Sequence, residues 1–129
     1  MTQEDKQLLL KDLSARLSYG VIVSTPKGVG YLCSINQTIF GNEYGVNIEA
    51  TKRDYFNDKE CDIKPYLRPM SSMTEEEDDE WWKFANEPYV VNEHTSSLDW
   101  LNAHHFDYRE LIPMNLAIAV TEENNPYKE

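Results

Sequence analysis

Glycine-rich loops, paired cysteines and long apolar runs are all missing from this chain, and each absence removes a class of function. Of the 5 glycines, only Gly28 and Gly30 stand close together. Gly28-Val29-Gly30 lacks the third glycine and the following helix that a dinucleotide-binding turn needs. Cys33 and Cys61 lie far apart, with no C-x-x-C and no histidine at ligand spacing, so neither a disulfide framework nor a zinc site is expected. Cys33 falls on an alternating apolar face and is expected as a buried thiol. The N-terminal residues offer a run of only three leucines, Leu8-Leu9-Leu10, among charges. That is too short for a signal-peptide core or a membrane span, so a cytoplasmic location without membrane contact is expected. Basic charge is scarce as well: 12 Lys and Arg face 23 Asp and Glu, a net charge of -11. Such a field repels phosphate backbones, so direct nucleic-acid binding is not expected. Lys52-Arg53 beside Tyr55-Phe56 is the one basic patch with aromatics, and it reads as a solvated loop with two rings tucked under it.

What is present suits one ordinary domain. A chain of 129 residues with 40% apolar side chains can bury a real core. The charge divides at residues 62–77, Asp62-Ile63-Lys64-Pro65-Tyr66-Leu67-Arg68-Pro69-Met70-Ser71-Ser72-Met73-Thr74-Glu75-Glu76-Glu77: residues 1–70 hold 9 acidic and 9 basic side chains, residues 71–129 hold 14 and 3. This stretch is the joint between a balanced half and an acidic one.

In the first half, Thr2 with Asp5 reads as a capping box, and Leu9, Leu10, Leu13 and Leu17 recur along one helical face. Lys6, Lys11, Asp12 and Arg16 occupy the other positions, and Gly20 suits the left-handed helix stop. Val21 to Thr25 and the Thr25-Pro26-Lys27-Gly28 turn predict a hairpin. Val29, Tyr31, Cys33 and Ile35 then alternate with Gly30, Leu32, Ser34 and Asn36, as when one sheet face is buried. After Gly41-Asn42-Glu43, Tyr44, Val46, Ile48 and Ala50 point inward. A turn at Asn57-Asp58 leads to a short fourth strand around Cys61 and Ile63 that Pro65 should end. A bent meander of this kind is compatible with an SH3-like barrel.

In the second half Thr74 can cap a helix whose first turn holds Glu75, Glu76 and Glu77. The six acids Glu75 to Glu80 are followed by Trp81 and Trp82, of which one should be partly exposed. Glu87-Pro88 stops this helix, Tyr89-Val90-Val91 reads as an edge strand or loop, and Ser96 caps a helix carrying Leu98, Leu101 and His105. Leu116 to Val120 can add a last strand, and Glu122 to Glu129 reads as a frayed tail.

Three stretches carry a family resemblance: the joint; the opening Leu8 to Leu13 with Arg16-Leu17 and Tyr19-Gly20-Val21; and Asp99-Trp100-Leu101-Asn102 through His105-Phe106-Asp107-Tyr108-Arg109 to Leu111-Ile112-Pro113-Met114. Together they resemble a family of short uncharacterised proteins from gut bacteria and their prophages and mobile elements. The resemblance spans nearly the full length and implies no activity, cofactor or catalytic residue. Members commonly follow the arginine with glycine where this chain has Glu110.

The expectation is thus an α+β fold: an N-terminal helix, a small bent antiparallel sheet of four or five strands and short C-terminal helices. The expected function is docking of a protein partner through Tyr66, Arg68, Trp81, Trp82, Glu76, Glu77, Asp79 and Glu80, with no cofactor or metal called for. One alternative is an acidic mimic of nucleic acid that binds a basic protein. A second is a small hydrolase-like enzyme with His104 as general base oriented by Asp107, and His105 or Arg109 on substrate.

Overall fold

The computed structural model describes residues 2–39, 41–49, 52–57, 63–86 and 97–127. Helix α1 (Gln3–Arg16) begins at the expected capping box. The Asp5 N–H donates to Thr2 Oγ1 at 3.0 Å, and Asp5 Oδ2 accepts from the Thr2 N–H at 3.3 Å. The helix runs into a 3₁₀ turn at Leu17–Tyr19, and Gly20 closes it with φ of 70°. Leu9 and Leu13 are buried, with Leu8, Leu10 and Leu17 packed at the edge of the same cluster. The polar face differs from expectation, because Asp12 and Arg16 are both fully buried.

Strands β1 (Ile22–Thr25), β2 (Gly28–Thr38), β3 (Gly41–Glu49), β4 (Lys52–Asn57), β5 (Lys64–Leu67) and β6 (Ile118–Ala119) form one sheet in the order β4-β3-β2-β1-β5-β6. With helices α2 (Glu75–Asn86) and α3 (Ser97–Ala103) the fold is α+β. Among the described residues the sheet has six strands and is mixed, since β6 runs parallel to β5. It is also open, which corrects the expected barrel: β4 lies at one edge and the two-residue β6 at the other, and so short a strand offers too few pairing groups to close on β4.

The inward face of β2 also needs correcting. Val29 and Tyr31 point to solvent while Gly30 and Leu32 point in. The register then slips between Leu32 and Ser34, so Leu32 faces Val46 and Ile35 faces Tyr44. One extra residue at Cys33 turns a separation of three into two inward positions, as a β-bulge must. Cys33 is consequently half-buried, with its thiol donating to the Tyr31 carbonyl at 3.3 Å. In β3, Tyr44 and Val46 are buried and Ile48 packs on the same core, as alternation requires.

Pro65 does not end its strand but sits inside β5, opposite Val23. The β1–β5 ladder is two residues long, so the missing proline donor costs little there. The next position is filled by a side chain: the Ile22 N–H donates to Tyr127 Oη at 2.9 Å, and that hydroxyl donates to the Tyr66 carbonyl at 2.8 Å. A tyrosine wedge thus replaces a rung of the ladder, and the segment read as a frayed tail is pinned at Tyr127. Cys61, Asp58, Ala50, the Glu87-Pro88 stop, the Tyr89-Val90-Val91 stretch and the Ser96 cap lie outside the described residues.

A second, smaller cluster joins Trp100, Leu101 and Phe106 with Met73, Trp81 and Tyr108. It meets the sheet where the Arg68 N–H donates to the His105 carbonyl and the Asp107 N–H donates to the Arg68 carbonyl. Helix α3 ends in a Schellman turn: the Phe106 N–H reaches the Leu101 carbonyl, the His105 N–H reaches that of Asn102, and His105 takes φ of 63°. A second such turn at Leu111 to Leu116 puts Asn115 at φ of 61°.

Asp12 links these parts. Its Oδ2 accepts from Arg16 Nε and its Oδ1 from Arg109 Nη1, both at 2.9 Å, while Arg16 Nη2 donates to the Phe106 carbonyl. Both guanidinium groups also lie over the Tyr108 ring. Replacing Asp12 with alanine would leave Arg16 charged and buried without its counter-ion. The Asp12→Ala variant is therefore expected to lose about 3–5 kcal/mol of stability in urea unfolding. Glu110 is exposed with φ of 61°, a conformation that costs a side-chain-bearing residue about 1–2 kcal/mol. The Glu110→Gly variant should unfold at higher urea concentration than the parent, by about 1 kcal/mol.

Candidate functional site

Helix α2 and the turn after α3 hold the charged and aromatic residues singled out in the sequence. Thr74 caps α2, with the Glu77 N–H donating to Thr74 Oγ1 at 3.2 Å and the Thr74 N–H donating to Glu77 Oε1 at 3.1 Å. Beyond the simple cap expected at Thr74, the two bonds make a reciprocal capping box with Glu77. Glu77 also accepts a bidentate pair from Arg68, at 2.6 Å from Nη1 and 2.7 Å from Nη2. The Arg68 hydrogen bonds outweigh partial burial and hold the Glu77 carboxyl at about 2. Its stabilisation is present in full above the ordinary value of 4.5 and is lost as pH falls through about 2.

This arrangement sorts the eight expected partner-contact residues. Tyr66 is buried in β5. Arg68 lies over the Phe106 ring with its guanidinium spent on Glu77, and Trp81 packs into the second cluster. These three and Glu77 hold the protein together, because α2 needs an inward face and a tether to the sheet. Glu80 is exposed yet accepts from Trp100 Nε1 at 3.0 Å. Glu76, Asp79 and Trp82 remain on the solvent side, and Trp82 is the exposed member of the tryptophan pair at 61%. Glu75, Asp78, Asp79 and Trp82 recur at helical spacing and share one outer face, so the ring is set among carboxylates.

A cleft of about 710 Å³ opens beside the turn after α3, lined among others by Arg68, Ser72, His104, His105, Asn125 and Tyr127. Its size falls in the range of small-molecule sites. The proposed pair of His104 and Asp107 is not assembled there. Asp107 is buried, and its two oxygens accept from the Leu111 and Ile112 N–H groups at 2.9 Å each. Its role is to brace the second Schellman turn. His104 instead stacks on Trp100 with ring centroids 4.1 Å apart, and its Nδ1 lies 4.0 Å from Glu77 Oε2. Arg109, the other proposed substrate contact, is bound to Asp12.

His105 and Tyr127 went unrecognised as a pair. Their rings stack with centroids 3.8 Å apart. The only sequence hint was an aromatic residue in an otherwise polar tail. Among the described residues no cluster of three or more His, Cys, Asp or Glu could hold a metal ion, and no helix is long and apolar enough to cross a membrane.

Burial, reinforced by the Arg16 charge, lowers the His105 pKa from 6.5 to about 4. The unfolded chain therefore takes up a proton between those values that the folded chain refuses. Stability is undiminished above about 6.5 and falls as pH drops toward 4. Histidine-ring NMR at pH 5 should find His105 still neutral; a midpoint near 6.5 would show that the ring is not buried against Tyr127.

Comparison of the chain with protein-family models, with curated proteins and with solved structures gives no match.

Proposed function

We propose that this protein is an interaction module that docks a basic partner protein on the outer face of α2, with Trp82 as the anchor. The observation that carries this reading is the exposure of a tryptophan within a stripe of acids. Elsewhere in this acidic half the large rings Trp81, Trp100 and Phe106 are drawn into the second cluster. A large ring left mostly in water forgoes the stabilisation of burial, which docking against a partner would recover, and tryptophan is among the residues most enriched at interface anchors. The carboxylates around it steer a cationic segment toward the ring and penalise acidic competitors.

The geometry favours protein docking over mimicry of nucleic acid. Glu75 to Asp79 covers only about 6 Å of helix axis, the reach of two successive phosphates on one strand. Glu77 and Glu80 are turned to Arg68 and Trp100, which thins the acidic face further. Such a surface offers a compact charged ring around an apolar centre.

The test is affinity capture followed by direct titration with the captured protein, comparing the parent with Trp82→Ala and with Glu76→Gln/Asp79→Gln. Trp82→Ala is expected to weaken binding by about 30-fold, the effect of losing one anchor. The neutralised variant should lose mainly association rate and salt dependence. Unchanged titrations across all three proteins would remove the proposal.

A further inference from the structure

Beyond β6 the chain runs as a strap along the cleft. Val120 is fastened to β5, its N–H donating to the Leu67 carbonyl at 2.8 Å. Residues 121–124 are exposed, and among the described residues the hydrogen bonds of residues 121–126 stay within the segment. The strap supplies Thr121, Asn125 and Tyr127 to the lining of the cleft, and the body supplies Arg68, His104 and His105. Tyr127 is the tether between them. Its hydroxyl accepts from the Ile22 N–H of β1 and donates to the Tyr66 carbonyl of β5, and its ring lies nearly parallel to that of His105, with 9° between the planes.

His105 suits this contact only as a neutral ring. Its Nδ1 is buried with no hydrogen-bond partner among the described residues, so the neutral imidazole keeps its proton on Nε2. A second proton would make Nδ1 a buried donor with nothing to accept it. The charges acting on the ring share one sign: Arg16 from α1, the adjacent His104, and Arg68 from the end of β5. The carboxylates of this region are engaged elsewhere, Asp12 by Arg16 and Arg109, Glu77 by Arg68, and Asp107 by the Leu111 and Ile112 N–H groups. Glu122 lines the cleft from the strap itself and is exposed to solvent.

We propose that residues 121–127 form a latch along this cleft, fastened by Tyr127 and released when His105 takes up a proton. The inference is independent of any partner on α2. An imidazolium beside Arg16 and Arg68 is relieved by reaching water, and the Tyr127 ring is what covers it. Release takes away one wall of the cleft and frees the Ile22 N–H and the Tyr66 carbonyl to pair with water. The sheet need not open with it, because β1 keeps its ladder to β2 from Ile22 to Thr25 and its pairing of Val23 and Ser24 with β5. An opening that breaks so few contacts lies well below global unfolding in free energy. The pKa of His105 in the closed state, about 4, lies below the ordinary 6.5. The opening constant is therefore flat above 6.5, climbs as pH falls, and levels off below 4 after a rise of at most about 300-fold.

Native-state hydrogen exchange on the full chain, with the intrinsic pH dependence of exchange divided out, reads this at single amides. The Ile22 N–H, bonded to Tyr127 Oη, reports the latch, and the Leu32 N–H, bonded to the Val21 carbonyl, reports the sheet. The opening constant at Ile22 is expected to follow the rise while Leu32 stays the better protected amide at every pH. The His105→Asn variant, which tolerates the left-handed backbone and does not titrate, should remove the rise. The Tyr127→Ala variant should leave Ile22 unprotected at neutral pH with Leu32 still protected. Equal protection of Ile22 and Leu32 at every pH, or loss of Leu32 protection in Tyr127→Ala, overturns the proposal by making the tether inseparable from the fold. An opening constant at Ile22 that does not change with pH, or a rise that persists in His105→Asn, overturns it by removing His105 as the trigger.

Discussion

A single buried carboxylate ties the molecule together. Asp12 sits on the hidden side of α1 and holds two arginines, one from its own helix and one from a turn 97 residues further along the chain. Arg16 passes the connection on to the Phe106 carbonyl at the end of α3. Neither arginine could be brought so far from water without the carboxylate, and the carboxylate could not stay there without them. Hydrophobic burial would allow α1 to slide or roll against the sheet, since apolar contact has no direction. The ion pairs and the Tyr108 ring beneath both guanidinium groups restrict it to one register.

With α1 seated, the two hydrophobic clusters become neighbours across the turn at His105 to Asp107. The sheet core lies on one side and the Trp100, Leu101 and Phe106 cluster on the other, and Arg68 spans the boundary with its backbone and its side chain. Its backbone pairs with Phe106 while its guanidinium crosses that ring to Glu77 at the start of α2. One residue of the joint therefore orients the acidic helix. It turns Glu77, Trp81 and Glu80 toward the body and leaves Trp82 outside. The outward surface of α2 is thus a by-product of how its inner side is satisfied.

The C-terminal segment is secured in a similar way. Tyr127 puts its hydroxyl where β1 and β5 would otherwise pair directly, and its ring covers His105. Burial raises the Tyr127 pKa well above the ordinary tyrosine range, so the hydroxyl keeps its proton and can donate to Tyr66 while accepting from Ile22. His105 holds a left-handed backbone that glycine would adopt more readily, and its ring is held in place by the stack.

Local signals determined a good deal on their own. The Thr2 capping box, the leucine face of α1, the stop at Gly20, the inward alternation of β3, the Thr74 cap and the partial exposure of one tryptophan all depend on neighbours within a few residues. The α+β class follows from those periods. The rest was decided by contacts between distant parts of the chain. Asp12 and Arg16 look like surface residues until Arg109 and Phe106 arrive, and the bulge at Cys33 exists because Leu32 and Ile35 must both reach the core. Pro65 is tolerated because the ladder around it is short and Tyr127 supplies the next rung. Asp107 belongs to a backbone turn rather than to His104 because two nearby N–H groups claim its oxygens. In each case a buried polar group or an apolar side chain had to be satisfied by a partner far away in sequence, and spacing along the chain carries no record of that distance.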